Sequence, residues 1–199
     1  MSDRNHRACP VELAGMLDLR FRRWVQNPRK ILEPYIVEGM TVLDVGCGPG
    51  FFTMDMAHMV GKHGRVIAAD VQEGMLQKLR RKVSGTELEH RITLHPCAEN
   101  HMGITAHVDF VLAFYVVHEL PSQEIFFKEI EGILKPNGKV LVVEPPFHVS
   151  KRAFAETIRT AEAAGLTPTI GPKVFFSRTA ILRNSTFMDV AFSRMTQNL

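Results

Sequence analysis

The chain is poor in the features that would make it a disulfide scaffold, a membrane span or a polyanion binder. It has 3 cysteines in 199 residues. Cys9, Cys47 and Cys97 are odd in number and far apart, with no Cys-x-x-Cys spacing. That pattern excludes a disulfide framework and a local zinc cluster, and it points to a reducing, cytoplasmic setting. The longest apolar stretch, near residues 110–117, follows Asp109 and is far shorter than the roughly 20 residues a spanning helix needs, so no membrane insertion is expected. The opening MSDRNHRACP lacks a signal-peptide apolar run. Charge of one sign is not in excess either: 24 Lys and Arg against 21 Asp and Glu leave a formal +3. That is too little for the clustered basic face that nucleic acid demands. There is no internal repeat or low-complexity tract, and the scattered histidines (6, 58, 63, 90, 95, 101, 107) form no ligand-spaced set, so no metal is expected.

What is present is ordinary bulk for one compact α/β core: 45% hydrophobic and 23% charged residues. Candidate strands at 41–45, 65–69, 91–95, 109–114 and 139–144 alternate with candidate helices at 51–60, 72–83, 122–134 and 151–164, and further strands are expected near 167–176 and 178–183. Ser122 and Ser150 read as N-caps. Phe126, Ile130, Ile133 and Leu134 form one helical stripe, and Phe154, Ile158 and Ala161 another. Alternating β and α predicts a doubly wound, mostly parallel sheet with helices on both faces. Before this core, 11–38 reads as two helical pieces broken at Asn27-Pro28. Leu13, Leu17, Phe21 and Trp24 share a face there, beside Arg20, Arg22 and Arg23. The segment reads either as a lid over a ligand pocket or as a helix packed on the sheet with solvated arginines. We divide the chain into a helical cap, 1–38, and a binding domain, 39–199.

The most informative stretch is Val42–Gly50, VLDVGCGPG. A buried strand around Asp44 runs into Gly46-Cys47-Gly48-Pro49-Gly50, a turn without bulky side chains where backbone can approach a ligand. The apolar stripe of 51–60 behind it completes a strand–loop–helix unit with its ligand over the carboxyl end of the strand. Twenty residues past Gly50, Asp70 closes the next apolar run and is placed to accept hydrogen bonds from both ribose hydroxyls. The plainer alternative makes Asp70 a helix-starting polar residue. A dinucleotide loop would put its third glycine at position 51, which is Phe51. The loop therefore suits a nucleoside ligand without a pyrophosphate and disfavours an NAD-linked oxidoreductase.

From about Thr41 to Glu144 the chain resembles class I S-adenosylmethionine-dependent methyltransferases, in particular the small-molecule branch that includes quinone-biosynthesis and arsenite methyltransferases. VLDVGCGPG is similar to the family's first motif, VIAAD (66–70) to its second, HPCAEN (95–100) to its third, VDFVLAFYVVHEL (108–120) to its fourth and ILKPNGKVLVVEP (133–145) to the stretch carrying its fifth strand. The resemblance implies a seven-stranded Rossmann-like sheet of order 3-2-1-4-5-7-6 with strand 7 antiparallel. It implies S-adenosyl-L-methionine as cofactor, with Asp44, Gly46, Cys47, Gly48, Gly50, Asp70, Val71, Cys97, Ala98, Glu99, Ala113 and Phe114 as the cofactor-binding positions. Cys97 stands where relatives usually carry the acid that accepts the adenine amino group. A thiol is a poor acceptor, which leaves the Ala98 backbone N–H to address the ring. Ala113 and Phe114 are expected to offer carbonyls to the methionine ammonium.

The acceptor side is expected beyond the fourth and fifth strands. Tyr115 and His118 are the candidate catalytic residues, His118 having the pKa range of a general base or else packing structurally. Trp24, Glu144 and His148 are candidate acceptor contacts. The lack of a triad or metal cluster fits methyl transfer, because a sulfonium methyl is already activated and displacement needs mainly alignment and desolvation. The reading is methyl transfer to a small-molecule acceptor, with a non-catalytic cofactor-binding sensor or scaffold as the alternative. Neither the acceptor nor an oligomeric state is legible.

Overall fold

The structure is a computed structural model that describes residues 26–184. Trp24, most of the candidate cap and the last fifteen residues of the chain lie outside the described residues. The first described element is a short helix, α1 (Pro28–Leu32), whose N-cap Asn27 accepts a hydrogen bond from the Lys30 N–H. Proline suits this first helical position because it has no N–H to leave unpaired. Strands and helices then follow in the order β1 (Thr41–Val45), α2 (Thr53–Met59), β2 (Arg65–Asp70), α3 (Glu73–Val83), β3 (Ile92–Pro96), β4 (Val108–Phe114), α4 (Gln123–Ile133), β5 (Leu134–Glu144), α5 (Lys151–Ala163), β6 (Leu166–Ile170) and β7 (Arg178–Asn184).

These strands form a seven-stranded sheet in the order β3-β2-β1-β4-β5-β7-β6. β1 to β5 are parallel, and β7 runs antiparallel to both β5 and β6. The order matches the expectation, and the parallel part explains where a site can form. Every strand from β1 to β5 ends at one edge, and the loops that leave those ends gather there. The side-chain period of two separates the core into two layers. Val42, Phe110, Leu112 and Leu141 pack with Leu32, Met56, Leu76 and Leu79 on one face. Leu43, Val111, Val140 and Val142 pack with Phe127, Ile130, Ile133 and Ala161 on the other. Emptying the fully buried Phe127 position would cost roughly 3–5 kcal/mol.

Ser122 and Ser150 cap α4 and α5, accepting from the N–H groups of Ile125 and Ala153. Two stretches depart from the sequence reading. β5 begins at Leu134 rather than 139, because Leu134 already pairs with Val108. The register then jumps from Val108–Leu134 to Phe110–Lys139, and Asn137, at φ 67°, carries the chain through the extra residues. The expected strand 167–176 stops at Ile170. Gly171-Pro172 ends it, since proline has no N–H for a ladder, and residues 171–177 form a loop instead.

Candidate active site

The carboxyl edge of the sheet holds a cavity of about 870 Å³. β1 delivers the glycine loop to its floor, β2 delivers Asp70, and the turn after β4 delivers Tyr115 to Glu119. The loop is braced locally: Cys47 donates its N–H to the Ala69 carbonyl (3.0 Å) and Gly50 donates to the Cys47 carbonyl (3.1 Å). Two glycines show why the loop is built as it is. Gly48 lines the cavity at φ +53°, and a Cβ there would meet nothing within 4 Å, so the bare backbone leaves open space on the cavity side. Gly50, at φ +87°, would place a Cβ 2.5 Å from Leu79 Cδ1, so α3 can pack onto the loop only because no side chain is there.

Asp70 is 8% exposed and lines the same floor. One carboxylate oxygen accepts the Gly48 N–H and the other the Gln72 N–H, both at 2.8 Å. It therefore pins the loop and the Gln72 N–H just ahead of α3, but it caps no N–H of that helix, whose N-cap is Gln72. A carboxylate has about four acceptor positions, so these N–H bonds leave acceptor capacity for a donor such as a hydroxyl. Burial raises the Asp70 pKa, opposed by those backbone N–H groups. The next wall is the turn after β3, where Cys97 donates its N–H to the Asp70 carbonyl (3.0 Å). Burial and the Asp70 carboxylate push the Cys97 thiol up to about 11, so it stays protonated at neutral pH. The bare glycine backbone and a carboxylate with acceptor capacity suit a nucleoside diol without a pyrophosphate.

The opposite end is built on a strained residue. Tyr115 holds φ +60°, which costs a non-glycine residue roughly 1–2 kcal/mol. Its N–H donates to the Val143 carbonyl (2.8 Å). Its hydroxyl lies 2.6 Å from Ser177 Oγ and accepts from Gln26 Nε2 at 2.9 Å. Three segments distant in sequence thus meet on one phenol. In the turn that follows, the Val117 N–H donates at 2.9 Å to one oxygen of Glu144, which ends β5 and is 1% exposed. Its other oxygen lies 2.5 Å from His118 Nδ1. A carboxylate is acceptor-only, so His118, which lines the cavity, donates from Nδ1 and leaves Nε2 as the ring's acceptor, 4.0 Å from Glu119 Oε1. The Glu144 hydrogen bond raises the His118 pKa against the opposing effect of burial, with the charges of Glu144 and Glu119 adding to the rise. The His148 ring stands 6.0 Å from that of His118. Burial raises the Glu119 pKa.

The structure therefore brings Gly46, Gly48, Asp70, Val71, Cys97, Ala98, Glu99, Phe114, Tyr115, His118 and His148 to one cavity. Asp44, Cys47, Gly50, Ala113 and Glu144 do not line it. Asp44 is buried and accepts the Thr53 hydroxyl at 2.6 Å, tying β1 to α2. The Cys47 thiol is buried, which raises its pKa. Ala113 sits within the sheet, paired with Val45 and Val142. The Glu144 carboxylate turns inward to two donors, the Val117 N–H and His118 Nδ1. Sequence reasoning missed Gln26 and Phe175 as cavity-lining residues and Ser177 as a partner of the Tyr115 hydroxyl. Only the Phe175-Phe176 pair carried a signal, two bulky apolar residues in a stretch that Gly171-Pro172 opens. Among the described residues no group of His, Cys, Asp and Glu is placed to hold a metal ion, and no helix is long and apolar enough to cross a membrane.

Residues 36–169 match the profile of a methyltransferase domain, and the chain belongs to that family. It is similar to demethylmenaquinone methyltransferases of Bacillus cereus and Bacillus anthracis, 29% identical over 125 residues, covering 63% of this chain and 52% of those proteins. The chain thus spans about half the length of the curated relatives it matches. Among solved structures, a SAM-dependent methyltransferase from Aquifex aeolicus superposes with TM-score 0.77 at 28% identity, covering 88% of this chain and 97% of that one. A TehB-like SAM-dependent methyltransferase from Corynebacterium glutamicum shares the fold, with TM-score 0.67 at 16% identity over 87% of this chain and 97% of that one.

Proposed function

We propose that this member of the methyltransferase-domain family transfers the methyl group of S-adenosyl-L-methionine to a small, apolar-bodied acceptor with an ionisable hydroxyl or enol. The observation that carries the reading is one cavity with two chemically different ends: bare glycine backbone and Asp70 at one, His118 held by Glu144 at the other. When bound, the cofactor supplies a methyl already activated on a sulfonium, and the thioether left behind is neutral. Everything else falls to the chain. Asp70 would take the ribose diol on its remaining acceptor capacity, and Gly48 would let the ligand lie against backbone, while Gly46 leaves room for Val116 to pack on the loop. Cys97, Ala98 and Glu99 flank the adenine. Phe114 and Tyr115 wall the methionine end with apolar surface, which keeps water from the reacting carbon. His118 Nε2 would accept the proton that the acceptor's hydroxyl loses, and Glu144 would stabilise the resulting imidazolium.

The likeness to demethylmenaquinone methyltransferases supports a small apolar acceptor, as do Leu120, Pro145 and Pro146 along that wall. The segment ahead of β1 acts at this end of the cavity, a role supported by Gln26 reaching the cavity beside Tyr115. His148, whose ring stands 6.0 Å from that of His118, contacts the acceptor beside it. The free Cys47 and Cys97 suit a reducing cytoplasm. Calorimetry is the first test: S-adenosylhomocysteine is expected to bind and NAD not to, and tighter binding of NAD would refute the cofactor assignment. A screen of hydroxylated aromatic acceptors for release of S-adenosylhomocysteine then tests the acceptor class.

A further inference from the structure

The mouth of the cavity carries apolar surface that the chemistry does not require. Phe147, Phe175 and Phe176 are 90%, 60% and 70% exposed. Phe147 and Phe175 both line the opening, and the ring of Phe176 stands 4.5 Å from that of Phe175. Ile170, 99% exposed, sits at the end of β6. β6 and β5 are both antiparallel to β7, so β6 ends at the same edge of the sheet as the cavity. The two loops that carry the rings are joined: Arg178 Nε donates to the Val149 carbonyl at 2.8 Å. Exposed bulky apolar side chains along one edge of the sheet, two of them lining the opening, mark an interaction site rather than ordinary surface.

The two loops that carry the rings hold charges of one sign, while Glu99 and Glu119 line the cavity itself. Residues 145–153 and 171–178 hold Lys151, Arg152, Lys173 and Arg178 and not one Asp or Glu. Lys151 and Lys173 are exposed, whereas Arg152 pairs with Glu156 on α5. Such a rim complements an anionic surface. It does not complement a second copy of itself, nor residues 1–25 of this chain, which carry five arginines against Asp3, Glu12 and Asp18. Nucleic acid shares the phosphate chemistry, but the protruding apolar side chains here include Ile170, which offers no face for a base to stack on. Phenylalanine and isoleucine instead favour the headgroup–acyl boundary of a bilayer.

We propose that this rim is a docking surface for anionic lipid membranes, on which the chain sits peripherally with the cavity mouth against the lipid. The four apolar side chains enter the interface while Lys151 and Lys173 meet the headgroups. Docking in this pose opens the cavity to apolar molecules dissolved in the bilayer without passage through water.

The test is flotation of the full chain with vesicles of phosphatidylcholine alone or with roughly 30% phosphatidylglycerol. Recovery on the anionic vesicles is expected to exceed that on neutral ones by about tenfold or more, since each basic group near the surface contributes roughly fivefold. Replacing the three rings together (F147S, F175S, F176S) is expected to lower it by about tenfold or more, as is the pair K151E and K173E, with circular dichroism unchanged. Equal recovery on both vesicle types, or no loss in either variant, overturns the proposal. So does rim-dependent binding of a single-stranded RNA oligonucleotide in preference to the vesicles. A shift in the emission of Trp24, the single tryptophan, on replacing the rings without vesicles would assign the rim to the N-terminal segment instead. Loss of a dimer in sedimentation on the same replacement would assign it to a second copy.

Discussion

Glu144→Gln is the sharpest perturbation the structure offers, because geometry dictates how the amide must sit. The side chain is buried and faces two groups, the Val117 N–H and His118 Nδ1. Val117 N–H can only donate, so the amide oxygen of a glutamine is held there. Its NH₂ group then faces His118 and needs an acceptor. His118 can oblige only by giving up the proton on Nδ1 and carrying it on Nε2. The imidazole keeps its place but presents an N–H to the acceptor where it had presented a lone pair. Loss of the base is expected to lower the methyl-transfer rate by roughly 10²–10⁴, which is about 2.7–5.4 kcal/mol of barrier, with little change in cofactor affinity. Exchanging a charge-assisted bond for a neutral one is expected to cost about 1–2 kcal/mol of stability. The sign of the pH dependence follows from the raised His118 pKa. That group adds stability fully present below its ordinary value of 6.5 and lost as pH rises through its folded value. Catalysis runs the other way, since the neutral ring is the base, so the rate rises through the same folded value. Long-range ¹⁵N correlation spectra read the tautomer and titration of His118 directly, before any acceptor is known. A folded variant whose His118 keeps the wild-type tautomer and pKa would refute the reasoning.

Asp70→Ala is expected to weaken S-adenosylhomocysteine binding by roughly 1.5–3 kcal/mol in calorimetry, because the diol bonds are lost and the Gly48 N–H is released. Unchanged affinity would confine Asp70 to its backbone partners. Gly48→Val is expected to abolish binding in a domain that still folds, at a cost of roughly 1–2 kcal/mol for the positive φ, since its side chain enters open cavity. Gly50→Ala is expected to act the opposite way, lowering the melting temperature through the contact with Leu79, and equal melting of both variants would contradict the packing. Tyr115→Phe keeps the wall but removes the hydroxyl shared by Gln26 and Ser177. It is expected to raise KM for the acceptor more than it lowers kcat, and a fall in kcat alone would make the phenol a catalytic group. Tryptic cleavage at Arg20–Arg23 is expected to slow when S-adenosylhomocysteine is added, and equal rates would argue against a cap.

The nucleotide end of the cavity was legible because its information is local. A strand, a glycine loop and a helix follow one another within Val42–Val60, and Asp70 sits at a fixed distance down the chain. Strand order followed the family resemblance, and N-caps at Ser122 and Ser150 followed from side-chain oxygens beside apolar stripes. The acceptor end was not legible in the same way. His118 and Glu144 are 26 residues apart, and nothing in either local pattern orients one to the other. The β4–β5 register decides it: Phe114 opposite Val143 sets Glu144 beside the turn that follows Phe114, where the Val117 N–H and His118 converge on it. The same holds for Tyr115, whose partners lie 89 residues before it and 62 after it. The loop at 171–177 was mistaken for strand because its apolar residues look like core in one dimension. Local spacing thus determined the fold class and the glycine-loop–Asp70 floor, since short-range periodicity and loop chemistry act within a few residues. Tertiary packing alone decided which carboxylate holds the histidine and which aromatic rings stand at the mouth, since both depend on strand register and on loops that meet only once the sheet has closed.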